Sequence, residues 1–208
     1  GTGFRAPDAT DRYGFGGNPD LAPESSESFE VALRHRIGGR HLLTLAAFRN
    51  DIDDLIQYVV TDFETFDGEN RNVSRARIEG VEAAWRYEGE QWFARAAATW
   101  QDPRDLDTDE RLLRRARENF TLGLGRRIGP HVLALDVLAA GERRDFGFPS
   151  AVALPSYVVA SLSTKLALPG GWRLTARVDN LFDEDYELAR GYNTPDRSAF
   201  LTLGRDLR

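Results

Sequence analysis

Short and long connections alternate along this chain, and no other feature of the sequence limits the fold as tightly. Compact turn chemistry occurs at Gly38-Gly39, Glu88-Gly89-Glu90, Gly129-Pro130 and Pro169-Gly170-Gly171, each a candidate tight hairpin. Between these sites lie polar stretches rich in Asp, Asn, Pro and Gly, at about 6 to 23, 62 to 74, 102 to 113, 141 to 154 and 183 to 197. An up-and-down barrel of the outer-membrane type has short turns at one end and long loops at the other. A sandwich with Greek-key connections has no reason to sort loop length by end.

The segments between connections repeat with period two, which is the period of a strand and not of a helix. Trp92, Ala94, Ala96, Ala98 and Trp100 alternate with Phe93, Arg95, Ala97 and Thr99. Similar alternation sets Val81, Ala83, Trp85 and Tyr87 against Glu82, Ala84 and Arg86, and Phe120, Leu122 and Leu124 against Asn119, Thr121 and Gly123. Leu133, Leu135, Val137 and Ala139 stand opposite Asp136, Val158 to Leu166 opposite Ser161 and Lys165, and Trp172 to Val178 opposite Arg173, Arg177 and Asp179. Repeated Arg, Asp and Glu on one face suit a wet lumen better than a dry core. From Trp92 to Trp100 a strand rises about 26 Å, or roughly 19 Å across a membrane at a tilt of ~45°, close to the ~25 Å between aromatic girdles.

No run of about 18 uncharged apolar residues is present, so no transmembrane helix is expected. The mean hydropathy of -0.45 does not weigh against a barrel, because strands that alternate between lipid and lumen stay polar on average. A net charge of -6 without any Lys and Arg cluster argues against nucleic acid as a partner. With no cysteine, neither a disulfide framework nor a thiolate metal site is available. The chain has no methionine, even at position 1, and no signal peptide precedes Gly1-Thr2-Gly3. The expectation is a part of a longer polypeptide.

Ten strands are predicted, at about 1 to 5, 24 to 37, 41 to 61, 75 to 88, 91 to 101, 114 to 127, 131 to 140, 155 to 168, 172 to 182 and 198 to 207. A chain end on the periplasmic side puts the long loops outside. Hydrocarbon does not tolerate an unpaired edge, so an open ten-strand sheet is expected to be the closing portion of a larger barrel, the alternative being a barrel of ten strands closed on itself.

Asp105-Leu106-Asp107-Thr108-Asp109-Glu110 resembles the start of a calcium loop but has Glu110 where the turn needs Gly and Ala116 where a bidentate Glu should close the site. It reads as a solvated acidic loop tip, and no metal site is assigned. His35, His41 and His131 all lie beside short turns, and no Ser and His pair suggests nucleophilic catalysis. Gly123 to Gly129 runs into a Gly-Pro turn without a helix and is no phosphate cradle. An enzyme is therefore not expected. Arg114 and Arg115 are expected to begin a descending strand, and Arg143 and Arg144 to end a rising one. These residues are either lumen-rim charge or, with Phe146 and Phe148, contacts to a bulky ligand bearing amide and phosphate groups.

Phe4-Arg5-Ala6-Pro7, Asn18-Pro19-Asp20-Leu21-Ala22-Pro23-Glu24, Asn180-Leu181-Phe182-Asp183 and the closing alternating segment resemble the barrel of TonB-dependent outer-membrane receptors. Phe48 to Ile56, Ala76 to Glu82 and Leu112-Leu113-Arg114-Arg115-Ala116 are similar to the cobalamin receptor branch. The resemblance implies an all-β, antiparallel up-and-down transmembrane barrel of 22 strands plugged by an N-terminal domain, of which residues 1 to 208 would be the last ten strands. Plug, TonB-contacting box, first twelve strands and the branch's calcium-binding loops would lie outside this chain. Arg114 matches a cobalamin-contacting arginine, and Phe146 or Phe148 falls near a contacting aromatic that is a Tyr in the branch. The segment from about Arg190 matches the family's C-terminal box but finishes Asp206-Leu207-Arg208, where such barrels end in an aromatic residue.

The implied function is TonB-dependent uptake of cobalamin, with uptake of a ferric chelate by a siderophore receptor as the first rival and a passive porin as the second. The resemblance implies a monomer in the bacterial outer membrane. Its partners would be cobalamin or a similar bulky chelate, TonB, the lipid bilayer and lipopolysaccharide, with no nucleic acid and no cofactor.

Overall fold

The period-two segments are strands in the computed structural model, which describes residues 1–205 apart from Phe63, Phe66, Phe148, Pro149 and the side chain of Ser74. In chain order the elements are β1 (Thr2–Arg5), α1 (Ala9–Tyr13), β2 (Glu24–Ile37), β3 (His41–Val60), β4 (Gly68–Glu88), β5 (Trp92–Asp105), β6 (Glu118–Ile128), β7 (His131–Ala140), β8 (Arg143–Asp145), β9 (Val152–Leu154), β10 (Tyr157–Leu168), β11 (Trp172–Asp179) and β12 (Ser198–Arg205). Among the described residues, ten strands make one all-β sheet in the order β1-β2-β3-β4-β5-β6-β7-β10-β11-β12, with sequence neighbours adjacent throughout. The strands β8 and β9 pair separately as a small antiparallel ribbon inserted between β7 and β10. The antiparallel meander of ten strands is the architecture that the loop alternation anticipates.

Register carries the alternation from strand to strand, because directly paired residues share a face. Ala94, Leu124, Leu135, Leu162, Val178 and Ala199 pair in succession across β5, β6, β7, β10, β11 and β12. One residue away, Arg95, Gly123, Asp136 and Ser161 form a row on the other face. The apolar row is not a packed core: Leu124 is 41% and Leu162 37% exposed. An apolar face several strands wide and open to its surroundings needs a hydrocarbon solvent.

On the polar face, glycines in β6 make room for side chains that reach across it. Arg95 Nη2 donates to Asp136 Oδ1 at 2.8 Å, passing over Gly123, where a Cβ would lie 2.7 Å from Arg95 Nε and 3.0 Å from Asp136 Oδ1. The ring of Phe93 occupies the corresponding space over Gly125, and the Arg127 guanidinium sits 4.7 Å from that ring. At the short-turn end of the apolar face, Trp92 pairs with Arg126 and Trp172 with Arg205. Each arginine stacks on its tryptophan, at 5.1 and 5.4 Å, as amphipathic side chains do at a membrane interface.

Three of the expected strand boundaries shift by four residues or more. The strand expected from 75 begins at Gly68, and the one expected to stop at 101 continues to Asp105. The expected ends followed the fading of apolar alternation, which marks where hydrocarbon stops; backbone pairing continues into water. The strand expected from 114 begins at Glu118, so Arg114 and Arg115 precede it; the rising strand spans His131–Ala140 as expected, so Arg143 and Arg144 do not end it but lie in β8. The stretch from 6 to 23 contains α1, whose N-cap Asp8 accepts from Asp11 N while the Asp11 carboxylate accepts from Asp8 N.

The described residues divide into two compact units. The first comprises Gly1–Val31, Ala47–Gly80 and Gln101–Leu112. There Glu24 accepts from Arg5 Nε at 2.8 Å and Nη2 at 3.0 Å and from Ile56 N at 2.8 Å, Asn18 Nδ2 donates to Asn70 O, and Leu21 is buried. The Asn-Pro-x-Leu-x-Pro-Glu motif is thus a structural fastening. The second unit comprises Ala32–Ala46, Val81–Trp100 and Leu113–Arg208 and holds every described residue of the candidate site.

Leu162→Arg on the apolar face should destabilise the intact protein refolded into phospholipid vesicles by about 2–4 kcal/mol, whereas Ser161→Arg should change stability by less than about 1 kcal/mol. Denaturant midpoints measure both, and equal losses would contradict the assignment of faces.

Candidate functional site

The long-loop end of the second unit is built from three connections: the residues preceding β6, the β8–β9 insertion and the loop between β11 and β12. Arg114 sits in a turn, not in a strand, with a positive φ of 59°. A bulky L-residue in that region costs roughly 1–2 kcal/mol, so the surrounding structure has to hold it there. Two bonds do so: Arg114 N donates to Arg144 O at 2.7 Å, and its Nε donates to Asp145 Oδ1 at 2.8 Å.

Asp145 is the centre of this arrangement. Its side chain is 1% exposed, that of Arg114 58%. Oδ1 accepts from Arg114 Nε and, at 2.7 Å, from Phe146 N. Oδ2 accepts from Arg190 N at 2.6 Å. One buried carboxylate therefore joins all three connections. Burial pushes the Asp145 carboxyl up, but the Arg190 N–H, the Arg114 guanidinium and the Phe146 N–H together outweigh burial and hold it below the ordinary carboxylate range.

Beside it, Arg143 is also buried. Its Nη2 donates to Pro155 O at 3.1 Å and to Glu187 O at 2.9 Å, and its guanidinium lies 4.7 Å from the ring of Tyr157. Tyr157 stacks on Tyr186 at 4.4 Å and packs with Ala116 and Ala140 in a small buried cluster. The final loop is closed at its base by Asn180, a buried residue whose Nδ2 donates to Glu184 O and Pro195 O and whose Oδ1 accepts from Glu184 N. The Asn-Leu-Phe-Asp motif is therefore a loop clasp.

Of the expected site residues, Arg114 through its side chain and Phe146 through its backbone N–H both bond Asp145, and Phe146 is 46% exposed. Phe148 lies outside the described residues. The acidic run from Asp105 uses its carboxylates locally: Asp105 caps the N–H groups of Asp107 and Thr108, Asp107 pairs with Arg75, and Asp109 with Arg104. Among the described residues, no group of three His, Cys, Asp or Glu is placed to hold a metal ion. Arg143, expected as rim charge or a ligand contact, is instead buried and bonded to Pro155 O and Glu187 O; the sequence reading missed Asp145, Arg190 and Tyr157. Asp145 directly follows Arg143-Arg144 and precedes Phe146, and a carboxylate set between two arginines and an aromatic residue is the signal that could have marked it.

The sequence profile described as "TonB dependent receptor-like, beta-barrel" matches residues 1–181. The vitamin B12 transporter BtuB of Vibrio vulnificus (strain YJ016) is 35% identical over 193 residues, covering 91% of this chain and 30% of the relative. Among solved structures, the copper transporter OprC superimposes with a TM-score of 0.77 at 20% identity, over 97% of this chain and 35% of that one. The ferric-catecholate import receptor Fiu from E. coli K12 gives a TM-score of 0.73 at 20% identity, over 97% and 31%. The chain spans about a third of the length of each of these proteins, and the two structural likenesses speak to fold.

The depressed Asp145 pKa fixes the acid sensitivity of the cluster. Because the folded value lies below the unfolded value of about 4, its stabilisation is complete above pH ~4 and is lost as pH falls through the folded value. Tyr157 and Tyr186 fluorescence in the intact protein should stay constant from pH 8 to 5 and change only in acid below about pH 4. A midpoint between pH 5 and 8 would show that another group controls the cluster.

Proposed function

The chain belongs to the TonB-dependent receptor-like β-barrel family of the outer membrane, and from that premise we propose that the intact protein takes up cobalamin. The observation that carries the reading is the 35% identity to a vitamin B12 transporter over 91% of this chain. In this reading residues 1 to 208 are the closing ten strands of a 22-stranded receptor and supply wall, long loops and part of the ligand rim. Cobalamin binds at the long-loop mouth. TonB, acting through a box in the plug, opens the path through the lumen. The receptor works as a monomer within the bilayer and its lipopolysaccharide, and no bond of the ligand is made or broken.

The rim chemistry supports a ligand of this class. Arg114 offers an exposed guanidinium to a phosphodiester or amide oxygen, and Phe146 a half-exposed ring to an apolar macrocycle; Phe148 is assigned to the same rim from sequence. A ferric-chelate receptor is the second reading, motivated by the structural likeness to the ferric-catecholate receptor Fiu.

Full-length receptor should bind cobalamin with a nanomolar Kd and leave ferric chelates unbound; the reverse pattern would replace this reading with the second, and leak of small solutes from liposomes would indicate a passive pore. Arg114→Ala should weaken cobalamin binding by about 1–3 kcal/mol. An unchanged Kd would remove Arg114 from the site.

A further inference from the structure

We infer that Asp145 is the positioning residue of the ligand rim, setting Arg114 and Phe146 for the ligand without touching it; the inference rests on the rim assignment made above. A side chain 1% exposed makes no contact with a ligand at the mouth. Its bonds reach both of the described rim residues: Oδ1 takes the Arg114 Nε–H and the Phe146 N–H. Oδ2 takes the Arg190 N–H and so ties the last long loop to the other two.

The geometry demands a carboxylate. All three partners are donors, and they are divided between two oxygens. An asparagine of the same shape would turn an N–H₂ group toward at least one of them in either orientation, leaving donor against donor in a buried site. Arg114 also needs the restraint more than most residues would, since its positive φ is costly unless surrounding bonds fix it. The bond to Asp145 is made through Nε on a side chain that is 58% exposed, so the terminal nitrogens are the donors offered to a ligand oxygen. A rim arginine already ordered before binding loses less rotamer freedom when the ligand arrives.

The test uses full-length receptor in detergent with cyanocobalamin as probe and the variants Asp145→Asn, Arg114→Ala and the double substitution. Each single substitution should raise Kd roughly tenfold or more, and the double should be no weaker than about the weaker-binding single, because Asp145 acts through Arg114. Heat-modifiable gel mobility should remain that of the wild type, since the barrel wall is untouched. Wild-type affinity in Asp145→Asn, or losses that multiply in the double variant, would overturn the inference. Amide exchange reads the same joint without ligand. Asp145→Asn should speed exchange at Phe146 and Arg190, and also at Arg114, whose N–H bonds Arg144 O and not Asp145 itself. Unchanged exchange at Arg114 would overturn the inference. A wild-type receptor that ignores cyanocobalamin would overturn the cobalamin reading alone, leaving the exchange data to judge the positioning role.

Discussion

A strand that crosses hydrocarbon has no water for its backbone, so every N–H and C=O there must find a partner on the next strand. The rest of this structure follows from that constraint. It forces neighbouring strands into a continuous antiparallel ladder, and the ladder in turn forces side chains to alternate between two faces. Ala94, Leu124, Leu135, Leu162, Val178 and Ala199 line up because each lies opposite the next in that ladder. On the other face the same register brings Arg95 within reach of Asp136 across Gly123. Among the described residues, the turns and loops lie between the strands, where water and side chains can satisfy them.

The chain uses one device twice, once in each compact unit. Glu24 takes the Arg5 guanidinium together with the Ile56 N–H, and Asp145 takes the Arg114 guanidinium together with two backbone N–H groups. At Asp145 burial alone would raise the carboxyl, and donated hydrogen bonds reverse the effect, so it lies below the ordinary range. A carboxylate held in this way keeps its charge further into acid than a free one. It orders polar loops that have too little apolar surface to order themselves. The difference between the two lies in what is attached: Glu24 joins Arg5 to the Ile56 backbone, while Asp145 joins the Arg114 side chain to the backbone of two further loop residues, Phe146 and Arg190.

The sequence made the strands legible because membrane chemistry writes them at period two, and it made the sheet order legible because short turns join only neighbours. It misplaced Gly68 to Ser74 and Asp102 to Asp105, which are polar yet extended, since alternation reports the solvent beside a strand and not the pairing of its backbone. It set Arg114 in a strand because nothing in Leu112 to Ala116 announces a left-handed turn; that turn depends on Arg144 and Asp145, some thirty positions away. Arg114 and Phe146 were chosen from resemblance and chemistry. The carboxylate joining them was not, because its partners include two backbone N–H groups, to which sequence gives no pointer.

A structure of the intact receptor with cobalamin bound tests the account most directly. The account predicts the ligand seated over the junction of the three loops, with an Arg114 terminal nitrogen in hydrogen-bond contact with it, the Phe146 ring packed against it, and Asp145 still bonded to Arg114, Phe146 and Arg190 beneath. A ligand bound away from Arg114 and Phe146, or loops parted at Asp145 in the complex, would contradict it.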